Sequence, residues 1–398
     1  MNVWIESPFD NLPHEGFRPQ RYWLMAEAFA AAGHSVVYWT GDFSHASKEK
    51  RKLVCDVGEA VASVRFVPVL PYRRNVSFFR VLSHMAYARA WKKRAIGDVE
   101  TGVLPKPDLI VSSMPTLSAA AAALEMGERF GAKSVVDVMD AWPDTFHRLL
   151  PGFLRPLGPF AFAGLHRDAA NIYRKADFVT GVCDRYGKMV LDLGAKNYHR
   201  AYHGIELPSS VPEARNPGDG ALRLVYAGNL GRTYDLGTVF EAVAADANIE
   251  FDIAGAGPLA RKWRKMAASP AFGGRVRFHG YLGEQELALL LSRCHLGVVP
   301  MSADSFVGLP YKLCDYVKAG LGVVSSLEGE CGEMILRHGA GVIYRPGDCA
   351  SFALALEKWR EQMKSARKPA FASLLSELDA GKIYREYVEF LGFGRLSG

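Results

Sequence analysis

Twice along the chain, short runs of β-branched and aromatic residues alternate with helix-patterned segments, and this double alternation limits the possible folds more than any single motif. The first series reads NVWIES, RYWLMAEAFAAAGH, SVVYWT, DLIVSS, an alanine-rich helix and SVVDVM, and FVTGV extends it. The second reads LRLVYAG, IEFDIAG, VRFHG, LGVVPM and GVVSS, with helical patterns in between. Strand patterns separated by helical ones build βαβ units and hence parallel sheets. SSVPEARNPGDGA lies between the two series, and its Pro, Ser and Gly content marks a linker. At 398 residues the chain exceeds one ordinary core. The expectation is two similar α/β domains, 1–207 and 208–379, facing one another, with 380–398 as a helix that returns to the first.

Composition narrows the function classes. A 49% share of hydrophobic residues excludes wholesale disorder. Cys55, Cys183, Cys294, Cys314, Cys331 and Cys349 are scattered and never form CxxC, which argues against a zinc site or a disulfide framework and for a reducing compartment. MNVWIESPFDN carries an acidic residue where a signal peptide needs basic ones, and no uninterrupted apolar run approaches the roughly 18 residues of a membrane span. The expected setting is cytoplasmic, with the protein soluble or peripheral on the inner face of the cytoplasmic membrane. A net charge of +6 suits anionic partners, so its distribution has to choose among substrate phosphates, lipid and nucleic acid.

The second series carries the sharper signals. In SFVGLPYKLCDYVKAGLGVV a helix opening near Pro310 follows Gly308 and Leu309, and its free amides face the preceding loop, an arrangement that attracts anions. Lys312 adds a mobile positive charge, and Asp315, three residues on and on the same face, has the acceptors a vicinal diol needs. Phosphate beside a diol points to a nucleotide; the ordinary alternative is a capped surface helix with an exposed ion pair. YAGNLGRTYDLG puts Gly228, Asn229 and Gly231 directly after a strand, with Arg232 available to clamp a phosphate, as a diphosphate loop or as a plain βα turn. DIAGAGPLARK repeats strand then glycine at Gly255 and Gly257, read as close strand-to-helix packing beside the site. FHGYLGEQEL ends a strand in a turn at Gly280 and Tyr281, where a base would meet main-chain amides or the aromatic simply joins the core.

With GNLGR, GAGPL, FHGYL and LPYKLCDYVKAGLGVV in that order, the chain resembles a GT-B glycosyltransferase of family 4, retaining enzymes that use nucleotide-sugar donors, from Asn2 to about Leu391. The resemblance implies two facing Rossmann-like α/β domains with the donor, a UDP- or GDP-sugar, in the cleft between them. The second domain would hold it through Gly228, Asn229, Gly231, Arg232, Gly280, Tyr281, Leu309, Pro310, Lys312 and Asp315. Asp315 stands where the family has the second glutamate of its paired-glutamate motif, which grips the ribose diol. The first glutamate falls on Val307, leaving Asp304 or Ser305 as substitutes. The lysine usual after the diphosphate arginine is also missing, with Asp235 nearby and Arg232 to take its role. Both departures resemble a bacterial subset that builds surface polysaccharides, in which P-x-K-x-x-[E/D]-Y replaces the full pair.

The first domain offers three further stretches. NLPHEGFRPQRYW places Gly16 in a helix-opening loop with Arg18 and Arg21, where related enzymes bring a glycine against the donor diphosphate; the alternative is a capped turn with exposed arginines. MDAWPDTF resembles a D-x-W-P signature of the same subset. It puts Asp140 at a strand's carboxyl end, to orient an acceptor hydroxyl or accept its proton, or else to cap the helix after Pro143 with Trp142 in the core. Between Pro71 and Asp98, Arg73, Arg74, Trp91, Lys92 and Lys93 stand among Phe78, Phe79, Leu82, Met85 and Tyr87. Such a helix suits an anionic membrane surface and, by the resemblance, a lipid-linked acceptor; it equally suits a solvated basic helix with one core face. Nucleic acid fits poorly, because no recognition fold frames the aromatics.

Together these readings lead to a transferase that moves a sugar from a nucleoside diphosphate onto a hydroxyl of a lipid-linked saccharide. Arg232, Lys312 and the helix amides would neutralise the leaving diphosphate, with no protein nucleophile, no cofactor and no metal, since no DxD-type pair is present. Asp140, Arg232 and Lys312 are thus the catalytic candidates. The rivals are a nucleotide-sugar epimerase of the same fold, which needs no acceptor, and a non-catalytic nucleotide-sugar- or polysaccharide-binding subunit. A dinucleotide oxidoreductase would need an early GxGxxG turn, which the chain lacks.

Overall fold

A computed structural model of the chain describes residues 1–45, 48–51, 61–72, 78–218, 220–365 and 369–394. They form two compact units: residues 1–204 with the segment from Gly381 onward, and Ile205–Ala380. In the first, β1 (Asn2–Glu6), β2 (Ser35–Gly41), β3 (Ser63–Val67), β4 (Leu109–Met114), β5 (Lys133–Val138), β6 (Phe178–Gly181) and β7 (His199–Arg200) make one sheet. Its order is β3-β2-β1-β4-β5-β6-β7, and every pairing is parallel. Helices cover both faces of such a sheet, which is why VWI and LIV read as continuous apolar runs instead of alternating. The helix Leu117–Phe130 buries Ala119, Ala120, Ala122 and Ala123, small side chains that allow close approach to neighbouring elements. Trp4, Trp39 and Trp91 fill the core below, the first two edge-to-face at 5.5 Å.

The helix Ala380–Phe390 packs on this first unit. Phe390 stacks on His199 at 4.4 Å and meets Phe178 at 5.6 Å, Tyr387 meets Phe29 at 6.3 Å, and the His34 ring is hydrogen-bonded to the Phe393 carbonyl at 2.8 Å.

The second unit repeats the plan with β8 (Leu222–Ala227), β9 (Ile249–Ala254), β10 (Val276–Gly280), β11 (Leu296–Val299), β12 (Gly322–Ser325) and β13 (Gly341–Ile343), all parallel in the order β10-β9-β8-β11-β12-β13. Phe240, Phe251, Trp263 and Phe272 form the aromatic centre of its core. The stretch that reads as a linker is fastened to this unit: Arg215 donates to the carbonyls of Leu291, Cys294 and Ala319 at 3.3, 3.1 and 3.0 Å.

In each sheet the strand order reverses once, between β1 and β4 and between β8 and β11. Chain leaving neighbouring strands in opposite directions opens a crevice at their carboxyl ends, the usual ligand position in open α/β sheets. Among the described residues no helix is long and apolar enough to cross a membrane.

Candidate functional site

At the β8/β11 reversal, the glycine loop from Gly228 to Arg232 leaves one strand and the segment 300–310 leaves the other. Tyr316 fixes the following helix, Tyr311–Lys318, against both. Its ring lies on Gly297, where a β-carbon would come within 2.1 Å of it, and its hydroxyl accepts a 2.9 Å bond from the Ala227 N–H. Lys312, one turn earlier on that helix, lies over the glycine loop. Its Nζ donates to the Tyr234 hydroxyl at 3.1 Å and sits 4.3 and 5.2 Å from the ring centroids of Tyr234 and Tyr226. A β-carbon at Gly228, whose φ is +142°, would lie 2.6 Å from the same Nζ. Lys312 is therefore a charge held in place by two aromatic faces, not the mobile one its position suggests.

Gly255 completes this corner. A β-carbon there would stand 1.9 Å from the Gly228 carbonyl oxygen, at a φ of +137°. The GAGPL glycines thus pack beside the site as expected, but against the glycine loop and not against a helix. Asn229 and Arg232 are exposed, and Asn229 is held through its carbonyl, which accepts from the Tyr226 hydroxyl at 2.6 Å. Gly280 takes a φ of +73° and Tyr281 is 75% exposed, so this aromatic does not join the core.

Other positions have structural duties. Asp235 caps the helix Leu236–Ala245, accepting from the Thr238 hydroxyl at 2.6 Å and from the Gly347 N–H at 3.2 Å. The Leu309 side chain is buried, which leaves only its main chain for a ligand, and Pro310 is the N-cap residue. Asp315 is half-buried on the Lys312 helix. Asp304 is exposed and accepts from the Ser302 hydroxyl at 2.8 Å, whereas the buried Ser305 hydroxyl accepts from the Val307 N–H at 3.3 Å.

In the first unit, Gly16 is the exposed αL cap of a one-turn helix, Pro13–Glu15, and Arg18 is half-buried nearby. Arg21 departs from the expectation of an exposed arginine. It is fully buried, makes two 2.7 Å bonds to Asp137, and donates to the carbonyls of Ala201 and Tyr202 at 2.6 and 3.1 Å. Burial alone would raise the Asp137 carboxyl, but the Arg21 guanidinium and its hydrogen bonds outweigh that and hold it below the usual range. Arg21 is thus committed to tying its helix to β5 and to the segment after β7.

Glu6, an acid at the end of an apolar strand, sits at the β1/β4 reversal. It is fully buried and accepts from the Ser112 hydroxyl at 2.8 Å and the Ser113 N–H at 3.3 Å, and burial pushes its carboxyl up to about 8. The only signal was an acid closing an apolar run. A carboxyl raised in the folded state adds stability below its ordinary value of 4.5 that is lost as pH rises through about 8. Glu6→Gln keeps an acceptor for Ser112 and cannot ionise. Its stability relative to wild type should rise between pH 5 and pH 8 by at least ~1 kcal/mol, read from urea midpoints; a constant difference across that range would show that Glu6 does not titrate this way.

Asp140 follows β5, and its Oδ1 accepts from the Ala141 N–H at 2.8 Å. Trp142 is half-buried instead of core, stacked on His84 at 5.9 Å and edge-to-face with Phe146 at 4.5 Å. Along the helix Phe78–Glu100, Tyr87, Trp91 and Ala95 recur every fourth residue and are buried with Trp4 and Met126. Trp91, with no exposed surface, cannot meet a membrane or an acceptor. Lys92 pairs with Glu125 at 2.6 Å, Lys93 is exposed, and Arg73 and Arg74 lie outside the described residues.

Comparison with known proteins agrees with this architecture. Residues 20–203 match the family described as glycosyl transferase 4-like domain, and residues 221–362 match glycosyl transferases group 1. The chain is 31% identical over 194 residues to the glycogen synthase of Mycobacterium tuberculosis (strain ATCC 25618 / H37Rv), covering 44% of each, so the match spans less than half the length of that curated relative. Among solved structures, it is similar to a sucrose-phosphate synthase from Thermosynechococcus elongatus (TM-score 0.72, 15% identity, 98% of both chains). It is also similar to Anabaena HepE in complex with UDP (TM-score 0.67, 12% identity, 98% of this chain and 99% of that one). At such identities the likeness concerns the fold. The chain thus joins, in a GT-B architecture, a first unit that belongs to the glycosyl transferase 4-like domains and a second that belongs to the glycosyl transferases of group 1.

Proposed function

We propose that the protein is a retaining glycosyltransferase that moves a sugar from a UDP- or GDP-sugar to a hydroxyl of a lipid-linked saccharide in bacterial glycan assembly. The observation that carries this reading is the Lys312 ammonium fixed over the Gly228 loop at the β8/β11 reversal. A diphosphate lying on that loop meets the ammonium, the Arg232 guanidinium and the first amides of the Tyr311–Lys318 helix, all of which stabilise charge developing on a leaving group. Asp315 lies one turn on, where a carboxylate accepts from a ribose diol. Asp140, after β5, is the group for the acceptor hydroxyl. The solved complexes of HepE with UDP and with UDP-glucose support the donor class.

UDP or GDP at millimolar concentration should raise the melting temperature by linkage, and Asp315→Ala should remove most of the rise. Nucleoside diphosphate release should follow when a donor panel is supplied with membrane lipid extract. Absence of protection by either nucleotide would overturn the site; protection without release from any donor would point to a binding subunit.

A further inference from the structure

The first unit holds a second constellation, and its chemistry is amphiphilic. The Arg80 guanidinium lies over the rings of Phe9, Trp142 and Tyr72, at 5.3, 5.0 and 6.0 Å. The imidazoles of His45 and His84 pack on the same Phe9 ring at 5.3 and 5.0 Å, and His45 Nδ1 meets the Tyr72 hydroxyl at 2.6 Å. Lys48 donates to the His45 carbonyl at 2.6 Å and sits 4.9 Å from the Tyr72 ring. Lys48 also adopts a φ of +62°, a left-handed conformation that strains a residue with a β-carbon. Three basic side chains are thus gathered around the Phe9 ring, with Lys48 beside Tyr72 and Asp140 as the carboxylate acting on Arg80. Burial and their mutual repulsion push Lys48 down to about 8 and both histidines to about 3. Both imidazoles are then neutral near pH 7, and a bound anion would relieve the repulsion that remains between Lys48 and Arg80.

His84 and Trp142 also face the other way. They wall a groove of about 470 Å³ whose remaining lining includes Val81, Met85, Leu117, Phe146, Leu165 and Ile172. That size suits a small-molecule ligand, and the lining suits hydrocarbon. The groove follows the helix Leu117–Phe130 from Leu117 to Glu128, roughly 16 Å at the rise of an α-helix. Glu125, which pairs with Lys92, Glu128 and Lys175 also line it. Exposed Phe79, Phe153 and Phe160, between 70% and 82% accessible, stand on nearby segments in sequence.

We propose that the first unit binds a single-chain phosphorylated lipid, its phosphate or diphosphate among Arg80, Lys48, His45 and His84 and its isoprenoid or acyl chain in the groove beyond Trp142. The site rests on the transferase reading only for its purpose, which is to hold the lipid-linked acceptor beside Asp140; the binding itself stands apart.

Titrate the whole protein with farnesyl diphosphate, inorganic diphosphate and farnesol, with and without excess UDP, and score the component that UDP does not displace. Farnesyl diphosphate should bind at least about tenfold more tightly than either fragment. Arg80→Met should reduce it to the level of farnesol. Ala121→Phe, which fills the groove wall, should weaken farnesyl diphosphate to the level of inorganic diphosphate while leaving the latter unchanged. Both variants should keep the wild-type melting temperature and UDP protection. Equal binding of farnesyl and inorganic diphosphate, or indifference to both variants, overturns the proposal. Displacement of farnesyl diphosphate by acidic phospholipid vesicles would instead assign the cluster to bilayer headgroups and overturn the single-chain ligand. If UDP fails to protect while farnesyl diphosphate still binds, the transferase reading falls and this site stands.

Discussion

Arg21→Met should lower the unfolding free energy by ~3–5 kcal/mol, because it leaves the buried Asp137 carboxylate without its guanidinium. The loss is a large part of a typical total of ~5–15 kcal/mol. It exceeds that of an ordinary surface arginine because Arg21 also donates to two carbonyls after β7, which the shorter, apolar side chain abandons. Asp137→Asn should be nearly as damaging. Joining Arg21→Met with Asp137→Leu should recover part of the loss, since no charge then remains buried. Denaturant midpoints measure all three. A single-variant loss below ~1 kcal/mol would place the pair in the class of surface bridges, contrary to its burial.

Lys312→Met should reduce sugar transfer by about 10²–10³ while leaving the melting temperature within a few degrees of wild type. The methionine fills the space between Tyr226 and Tyr234 but brings no charge to a leaving diphosphate. Transfer is best measured at saturating donor, so that weaker binding does not masquerade as slower chemistry. A drop smaller than about tenfold would mean that Arg232 and the helix amides suffice, and that Lys312 serves mainly to order the loop.

Much of the architecture is legible in the sequence because parallel strands buried on both faces cannot alternate: LIVSS and GVVSS announce themselves as runs. The glycine loop and the Pro310 helix are legible for a related reason. The loop follows β8 directly, and Gly228 and Pro310 are residue types with restricted uses. What escaped was set by distant partners. Arg21 and Asp137 are 116 residues apart, and nothing local distinguishes an arginine in a buried pair from one facing a phosphate. Glu6 looked like a polar strand end, and its burial depends on β4 supplying Ser112 and Ser113. By composition Trp91 reads with the membrane-facing aromatics, whereas the spacing of Tyr87, Trp91 and Ala95 marks the core face that the structure buries. Tyr316, the last position of the P-x-K-x-x-[E/D]-Y pattern, is the residue that seats the Lys312 helix.

The return of residues 381–390 to the first unit also bears on how the chain is made. The second unit is contiguous and is fully synthesised at Ala380, so it is free to fold as soon as that residue clears the ribosome. The first unit starts earlier and finishes later, because Phe29, Phe178 and His199 wait for Tyr387 and Phe390. Through the whole synthesis of the second unit, that apolar surface stays uncovered on the nascent chain. The element made first is therefore the last to mature, and the interval is where a chaperone holding an open α/β sheet would matter most.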